Sequence, residues 1–269
     1  MEHPVLWHFT FSHFAEKVRW ALDFKRIPHV RRALLPGPHY PLVFWMTGQP
    51  TLPVLSIDGE TIADSTRIIA ALEGRWPDPP LYPTEPADRQ RAVDLEEFFD
   101  EELGHYLRRF LMYHGFEAPD SAARGAAFFT SGRGPGARLF FRSLFPGIRA
   151  FLRWRFDINS ETGEVARTKI AAAVDRIEAE LQPSGYLVGD RFSVADLTAA
   201  ALLAPLVAPP GYPVAAPILG PAGEFRDALA ARVAFRWVGE MYRRHRGTSA
   251  EVRGPAAVQR ARPLHSLPR

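Results

Sequence analysis

A proline inside an apolar run, Thr51-Leu52-Pro53-Val54-Leu55, constrains the fold of this chain more than any other feature. The run has the residues of a strand, but a proline cannot donate a hydrogen bond to a neighbouring strand. One solution is an edge position, where the first residues of the strand face a ligand in place of a partner strand. A cis bond between Leu52 and Pro53 would turn the amide and carbonyl of Leu52 outward. This edge can pair with a small peptide.

A second binding feature follows a few residues later. The sequence Asp64-Ser65-Thr66 predicts a helix start, because Asp and Ser are favoured N-cap residues. The N–H groups of a helix N-terminus attract a carboxylate. A backbone edge followed by such a helix end suits a small peptide-like acid.

Composition limits the class of protein. The chain has 269 residues, of which 46% are hydrophobic, 23% are charged and none is cysteine. These values predict a globular protein of one or two domains with a sizeable core. A run of about 18 apolar residues and a signal peptide are both lacking, so we expect a cytoplasmic protein with no membrane partner. Without cysteine, any thiol chemistry must use the sulfur of a small molecule.

Charge is distributed unevenly along the chain. From Arg243 onward there are seven arginines and one acid, which leaves 26 bases and 29 acids in the first 242 residues. The body has no basic stripe with base-stacking aromatics, so we expect no nucleic-acid partner. His105 and His114 lack the spacing of metal ligands, so no metal is expected. The polar, Arg- and Pro-rich residues 247–269 are predicted to be a disordered tail.

The first 78 residues alternate strand and helix patterns. The predicted elements are strand Val5–Phe9, helix Phe14–Lys25, strand His29–Leu34, strands Pro53–Ile57 and Thr61–Ala63, and helix Thr66–Trp76. Asp58-Gly59 is a hairpin turn signal, and Leu35–Pro50 is predicted to be irregular with a helical turn at Leu42–Met46. This order of elements resembles the thioredoxin fold.

A proline-rich linker at 79–85 leads into a helical domain, predicted for residues 86–246. The predicted helices are Pro86–Tyr113, Ala137–Phe156, Val165–Gln182, Val194–Ala208 and Glu224–Arg244. Gly- and Pro-rich breaks separate them at Gly115–Gly136 and Pro209–Gly223. Ser193 and Asp196 have the spacing of a capping box, and the apolar run that follows predicts a buried helix.

Several of these motifs together resemble the glutathione S-transferase family over about residues 4–245. They are Leu6–Phe9, Phe14–Leu22, Leu52–Leu55, Asp64-Ser65, Pro79–Pro83 and Gly189–Asp196. The resemblance implies an α+β two-domain protein, in which a thioredoxin-like α/β domain is followed by an all-α helical bundle. It also implies glutathione as co-substrate, and a homodimer formed between the N-terminal domain of one subunit and the C-terminal domain of the other.

The resemblance assigns roles to individual positions. Leu52 and Pro53 match the backbone clamp on the cysteinyl part of glutathione, and Asp64 and Ser65 match the pair that holds its γ-glutamyl group. Thr51 stands where the family often has Lys or Gln, and Gln49 can compensate. For activation of the thiol, Ser12 matches the family's activating Ser, which is Cys in thiol-transferring members, and His8 stands where other members have Tyr.

Activation of the thiol leaves alternatives open. The Ser12 hydroxyl can donate a hydrogen bond to a thiolate in front of the first helix, where the helix dipole adds positive potential. Ser12 can equally be only the N-cap of that helix. Thr10 and His8 are the other candidates for the activating group, and His13 is expected to be exposed to solvent.

The electrophile site is predicted from an aromatic stripe on the first long helix of the second domain. Such stripes are more often core, but in this family the helix lines a pocket. The pocket candidates are Tyr106, Arg109, Phe110 and Tyr113. The segment Phe128–Phe145 departs from the family pattern and is predicted to be a lid or a dimer contact.

The sequence therefore predicts a glutathione transferase that activates the glutathione thiol for attack on an apolar electrophile. A role in detoxification and peroxidase, isomerase or dehalogenase side activities are compatible with the same thiolate. The alternatives are a non-catalytic protein of this fold that binds a ligand or a partner, and an enzyme that uses a different low-molecular-weight thiol.

Overall fold

The computed structural model describes residues 3–130, 134–214 and 217–252. The chain forms two compact units. The first consists of Met1–Leu81 together with His245–Arg269, and the second is Tyr82–Arg244. The C-terminal stretch thus belongs with the first unit, although it follows the helical unit in sequence.

The first unit is built around a four-stranded sheet. Its elements are β1 (Val5–His8), α1 (His13–Phe24), β2 (Val30–Ala33), α2 (His39–Thr47), β3 (Val54–Ile57), β4 (Glu60–Ala63) and α3 (Ser65–Arg75). The strand order is β2-β1-β3-β4, with β1 parallel to β2 and antiparallel to β3. This is the predicted thioredoxin-like arrangement, and the fold prediction is confirmed.

Local turn chemistry in this unit agrees with the sequence. Asp58 and Gly59 have φ values of 48° and 84°, the left-handed pair that a tight hairpin between β3 and β4 requires. The bond between Leu52 and Pro53 is cis.

The helical turn predicted at Leu42–Met46 is present, but it belongs to the nine-residue helix α2, so Leu35–Pro50 is less irregular than predicted. Pro41 lies in the first turn of this helix, where a backbone N–H has no partner within the helix in any case. Val43 and Met46 of α2 are buried against Val54 of β3. Burial of this apolar face stabilises a helix that the local composition disfavours.

The second unit is helical. Its elements are α4 (Pro86–Phe99), a π-helical segment (Asp100–Gly104), α5 (His105–Glu117), α6 (Ser121–Phe129), α7 (Pro135–Phe156), α8 (Ser160–Glu180), α9 (Val194–Val207), α10 (Pro221–Leu229) and α11 (Val233–His245). The core helix is α9, which is buried over almost its whole length. No helix within the described ranges has both the length and the apolar content needed to cross a bilayer.

The predicted capping box at the start of α9 is present. The Ser193 amide and hydroxyl both donate to Asp196 Oδ2 at 2.9 Å, and the Leu187 amide donates to Oδ1 at 2.8 Å. Burial raises the pKa of Asp196 to about 6, against the opposing effect of these hydrogen bonds.

Two helix predictions in this unit need correction. The Gly-rich stretch after Gly115 contains α6, whose Phe129 packs against Phe141 of α7 with ring centroids 5.5 Å apart. The single helix predicted over Glu224–Arg244 is two helices. Glu178 of α8 binds Arg232, which lies between the two helices in sequence, and accepts a hydrogen bond from the Ala234 amide at 3.1 Å. These contacts stabilise the start of a separate helix, α11.

The first residues of the predicted disordered tail are ordered. The Val252 amide donates to the His29 carbonyl at 2.8 Å, and the Ala250 amide donates to Asp23 Oδ1 at 2.8 Å. The prediction is therefore wrong for residues 247–252, which are fixed by backbone hydrogen bonds that no local pattern reveals. Residues 253–269 lie outside the described part of the chain.

Candidate functional site

Strand register brings three of the predicted site segments to one end of the sheet. Trp7 of β1 pairs with Val54 of β3, and Val54 pairs in turn with Ala63 of β4. Because both pairings are antiparallel, the loop after β1, the residues before β3 and the residues after β4 all lie at the same end of the strands. Ser12, Leu52–Pro53 and Asp64–Ser65 are therefore brought together by the fold.

Ser12 is the N-cap of α1. Its backbone is extended, with φ −76° and ψ 126°, and its hydroxyl oxygen accepts the Ala15 amide at 3.2 Å. The capping alternative is thus observed. The hydroxyl accepts in this contact, so its proton remains available to donate to a ligand in front of the helix.

His8 is buried and neutral. Its Nδ1 lies 2.9 Å from Arg19 Nη1, and because a guanidinium can only donate, this nitrogen must accept. Burial, reinforced by the charge of Arg19, lowers the pKa of His8 to about 3. Thr10 is half-buried in the loop that carries Ser12.

The expectation that His13 is exposed was wrong. Only a small part of its side chain reaches solvent, and its ring lies 4.7 Å from the Phe14 ring. His13 is the first residue of α1, and this helix is buried on nearly every side.

Arg19 ties the loop after β1 to α1, a role that the sequence analysis missed. Its Nε donates to Glu16 Oε2 at 2.7 Å, while Nη1 and Nη2 donate to the carbonyls of Phe9 and Ser12 at 3.3 and 3.4 Å. A buried guanidinium is stable only when its donors are satisfied, so these contacts fix the loop conformation. The signal was available in the sequence as a charged pair, Glu16 and Arg19, within an otherwise buried helix.

The ion cluster continues into the C-terminal stretch. Arg246 donates to Glu16 Oε1 and to Asp23 Oδ2, both at 2.7 Å, and Arg31 also binds Asp23. Burial alone would raise the pKa of Asp23, but Arg31 and Arg246 outweigh it and hold that pKa below its ordinary value. Arg246 is distant in sequence from its partners, so no local pattern could have identified this contact.

Leu52 presents an unpaired backbone edge. Its side chain packs against the Val43, Met46 and Val54 cluster. Its amide and carbonyl have no hydrogen-bond partner among the residues that the structure describes. Thr51 and Gln49 are exposed nearby in sequence, and the Gln49 backbone is held by the Thr47 hydroxyl.

The start of α3 combines an open hydroxyl with positive potential. Asp64 is the N-cap, with φ 81°, and its carboxylate accepts the Arg67 amide at 3.1 Å. Ser65 is only 4% exposed, yet its hydroxyl has no hydrogen-bond partner within residues 3–130, 134–214 and 217–252. The buried Lys17 donates to Thr66 Oγ1 at 2.9 Å, which adds a cation to the helix N-terminus. Sequence reasoning did not identify Lys17.

The four pocket candidates lie on α5, where Phe110 is buried and Tyr106, Arg109 and Tyr113 are half-buried. Phe110 is 1% exposed and lies 5.2 Å from the Phe225 ring, so it packs in the core of the helical unit. Tyr113 covers Gly163, where an added Cβ would lie 2.8 Å from the tyrosine ring. Arg109 donates to the Phe156 carbonyl at 3.1 Å and stacks over Tyr106.

Histidines of the helical unit do not form a metal site in the described ranges. His105 Nδ1 faces the Arg108 guanidinium at 3.0 Å, and Nε2 is 3.9 Å from Glu101. Burial and the charge of Arg108 lower the pKa of His105. Nowhere in residues 3–130, 134–214 or 217–252 do three His, Asp or Glu side chains come together as metal ligands would.

Family models match both units. Residues 6–80 match the glutathione S-transferase N-terminal domain, and residues 160–237 match the glutathione S-transferase C-terminal domain. The chain therefore belongs to the glutathione S-transferase family. Helices α6 and α7 lie between the two matched ranges. No curated protein sequence matches the chain.

Solved structures share the fold at low sequence identity. The β-etherase LigF from Sphingobium sp. strain SYK-6 is 20% identical, with 89% of this chain and 99% of that chain covered and a TM-score of 0.60. Poplar glutathione transferase F1 is 15% identical, with 91% and 95% covered and a TM-score of 0.61. A glutathione S-transferase from Rhodospirillum rubrum F11 is 22% identical, with 87% and 91% covered and a TM-score of 0.55.

Proposed function

We propose that this protein is a glutathione transferase, with glutathione bound at the sheet end that carries Ser12, Leu52–Pro53 and Asp64–Ser65. The observation that carries the proposal is the register of β1, β3 and β4, which brings these segments to one end of the sheet. The residues present fit the ligand, because an unpaired backbone edge and an open hydroxyl at a helix N-terminus match an amide backbone and a carboxylate.

The backbone of Leu52 pairs with the cysteinyl amide and carbonyl of glutathione. The Ser65 hydroxyl and the first N–H groups of α3 hold the γ-glutamyl carboxylate, and Lys17 adds favourable charge there. Gln49 and Thr51 contact the ligand from the exposed side of the same loop. Asp64 keeps α3 capped and binds the γ-glutamyl ammonium group.

Ser12 activates the thiol. Its O–H donates to the glutathione sulfur, and the N-terminus of α1 adds positive potential, so the thiolate is favoured over the thiol. The thiol proton is released to solvent, the thiolate forms a bond to the electrophilic carbon of a co-substrate, and a leaving group departs with the electron pair of the broken bond. Tyr106, Arg109 and Tyr113 of the helical unit hold the apolar co-substrate.

The wider biology of the proposal follows from the family. We infer a homodimer, a cytoplasmic location and a role in detoxification, and the same thiolate can serve peroxidase, isomerase or dehalogenase reactions. A non-catalytic binding protein is the second candidate, favoured by the cap contact from Ala15 to Ser12, which is that of an ordinary helix start. Use of a different thiol is the third.

Calorimetric titration with reduced glutathione tests the ligand site. Saturable one-site binding is expected, and Ser65→Ala should weaken it by about 10-fold or more, because a hydrogen bond to a charged group contributes about 1.5–3 kcal/mol. Ser143→Ala, an exposed serine in the helical unit, is the matched control and should bind normally. An absence of binding at millimolar glutathione would move the assignment to another thiol or to a non-catalytic protein.

A further inference from the structure

One surface of the helical unit has no role in the proposed chemistry. Phe140, Leu144, Phe151 and Trp154 of α7 recur at intervals of four, seven and three residues, so they form one stripe along the helix. All are exposed, with Trp154 at 77% and Phe140 at 62%, and Leu139 beside them is 71% exposed. A continuous apolar stripe of this size is unusual on a free surface and marks an interaction site.

The stripe is separate from the face of α7 that packs inward. Phe141 and Phe145 are buried, and Phe145 meets the Phe116 ring of α5 with centroids 6.1 Å apart. Arg149 donates to the Phe116 carbonyl at 3.2 Å, and Arg153 pairs with Glu117. The helix is thus anchored by one apolar face, and the stripe is a second apolar face that this packing leaves exposed.

Charge identifies the partner. Helix α7 has five arginines and no acidic residue, and the whole stretch 121–156 has seven arginines and no acid. Arg138, Arg142 and Arg155 are exposed. A second copy of this helix would bring like charges together, whereas an anionic bilayer offers both acyl chains and phosphates.

We propose that α7 binds the surface of a membrane that contains anionic phospholipid. Phe140, Leu144, Phe151 and Trp154 enter the boundary between headgroups and acyl chains, and Arg155, one turn after Phe151 on the same side of the helix, contacts lipid phosphates. The other arginines of α7 add attraction to the anionic surface at longer range. The sequence-based expectation of no membrane partner rested on the lack of a spanning segment, which does not bear on a helix that lies in the interface plane. The proposal is independent of the thiol chemistry, since α7 lies outside the proposed glutathione site.

Vesicle co-sedimentation of the full-length protein tests the proposal. The protein should bind vesicles of phosphatidylglycerol and phosphatidylcholine at low salt, bind them more weakly at high salt, and bind pure phosphatidylcholine vesicles poorly. Phe140→Ala/Trp154→Ala should weaken binding to the anionic vesicles by about tenfold or more. The matched control is Phe44→Ala/Trp45→Ala, which removes an exposed Phe and Trp from α2 and should bind like the wild type.

A charge variant provides a second, independent arm. Arg155→Glu should weaken anionic-vesicle binding by about tenfold, while Arg191→Glu makes the same charge change on an exposed residue elsewhere and should have a smaller effect. Circular dichroism verifies that each variant is folded. Vesicle binding is measured on folded protein for both the aromatic and the charge variants, so the result does not depend on any single substitution.

Several outcomes would overturn the proposal. Equal binding by the α7 variants and the wild type would assign the lipid affinity to other basic residues, such as the arginines after Arg243. A solution dimer lost in Phe140→Ala/Trp154→Ala, by light scattering, would assign the stripe to a second copy. Retention on polyglutamate without vesicle binding would indicate an acidic protein partner.

Discussion

The guanidinium of Arg19 lies 2.9 Å from Nδ1 of His8, and burial together with this contact keeps the imidazole neutral with its proton on Nε2. The same guanidinium donates to the carbonyls of Phe9 and Ser12. The protonation state of His8 is therefore coupled to the conformation of the loop that carries the proposed activating hydroxyl. A cation at His8 would repel Arg19 and disturb that loop.

The first prediction concerns pH. The pKa of His8 is lowered from 6.5 to about 3 in the folded protein, so the unfolded chain binds more protons below pH 6.5 and stability falls as the pH falls towards 3. His8 alone should cost about 1.4 kcal/mol of unfolding free energy between about pH 7.5 and about pH 5.5. His8→Asn, which retains an acceptor for Arg19, should lack this part of the pH dependence. Urea unfolding at both pH values measures it, and identical pH dependence in the two proteins would refute the argument.

The second prediction separates activation from capping at Ser12. Ser12→Ala should lower kcat and raise the pKa of the bound glutathione thiol, and it should also cost about 1 kcal/mol of stability through loss of the cap. Ser12→Asp keeps a cap acceptor and should recover the stability, but it should not restore the thiol pKa. Ultraviolet absorbance of the bound thiolate against pH gives the readout. If Ser12→Ala leaves that pKa unchanged, Ser12 is only a cap, and Thr10→Ala becomes the next variant to test.

The third prediction compares two neighbouring arginines. Arg246→Ala leaves Glu16 without one cation and weakens the pairing of Asp23, so it should destabilise the protein by about 3 kcal/mol. Arg244→Ala removes a more exposed contact to Glu240 and should cost about 0.5 kcal/mol or less. Urea unfolding of both variants is the measurement. Equal stabilities would mean that the C-terminal stretch is not held by the buried cluster.

The fourth prediction contrasts two polar residues of α9. Asp196→Asn keeps one carbonyl acceptor but cannot satisfy all three donors, so it should cost about 1–3 kcal/mol. Thr198 is buried in the same helix, and its hydroxyl has no hydrogen-bond partner among the described residues. Thr198→Val should therefore be neutral or stabilising by about 1 kcal/mol. Thermal unfolding of the two variants checks the opposite signs, and a clear loss of stability in Thr198→Val would show that the hydroxyl is satisfied.

Features with a local cause were predictable from the sequence. The position of Pro53 directly before a strand, the turn at Asp58-Gly59 and the capping box of Ser193 and Asp196 each depend on residues within a few positions of one another. The order of strands and helices in the first unit followed from hydrophobic patterns of the same short range. The sequence could therefore place the proposed glutathione-site segments in a thioredoxin-like sheet.

Features with a distant cause were not predictable. Part of Leu35–Pro50 is helical because Val43 and Met46 are buried against β3. Helix α11 begins where Glu178 of another helix accepts a hydrogen bond from its first turn. The buried charges of α1 are tolerable only because Arg246 returns to them from the far end of the chain.

By itself, the sequence determined the fold class, because propensity, turn chemistry and helix capping act over a few residues, and the resemblance of its motifs to the family suggested the candidate glutathione-site residues. Only the tertiary structure decided which charges are buried, which aromatic residues of α5 belong to the core, and which face of α7 is left exposed. Burial and ion pairing depend on groups that folding brings together from distant parts of the chain, and local sequence patterns do not show which groups these are.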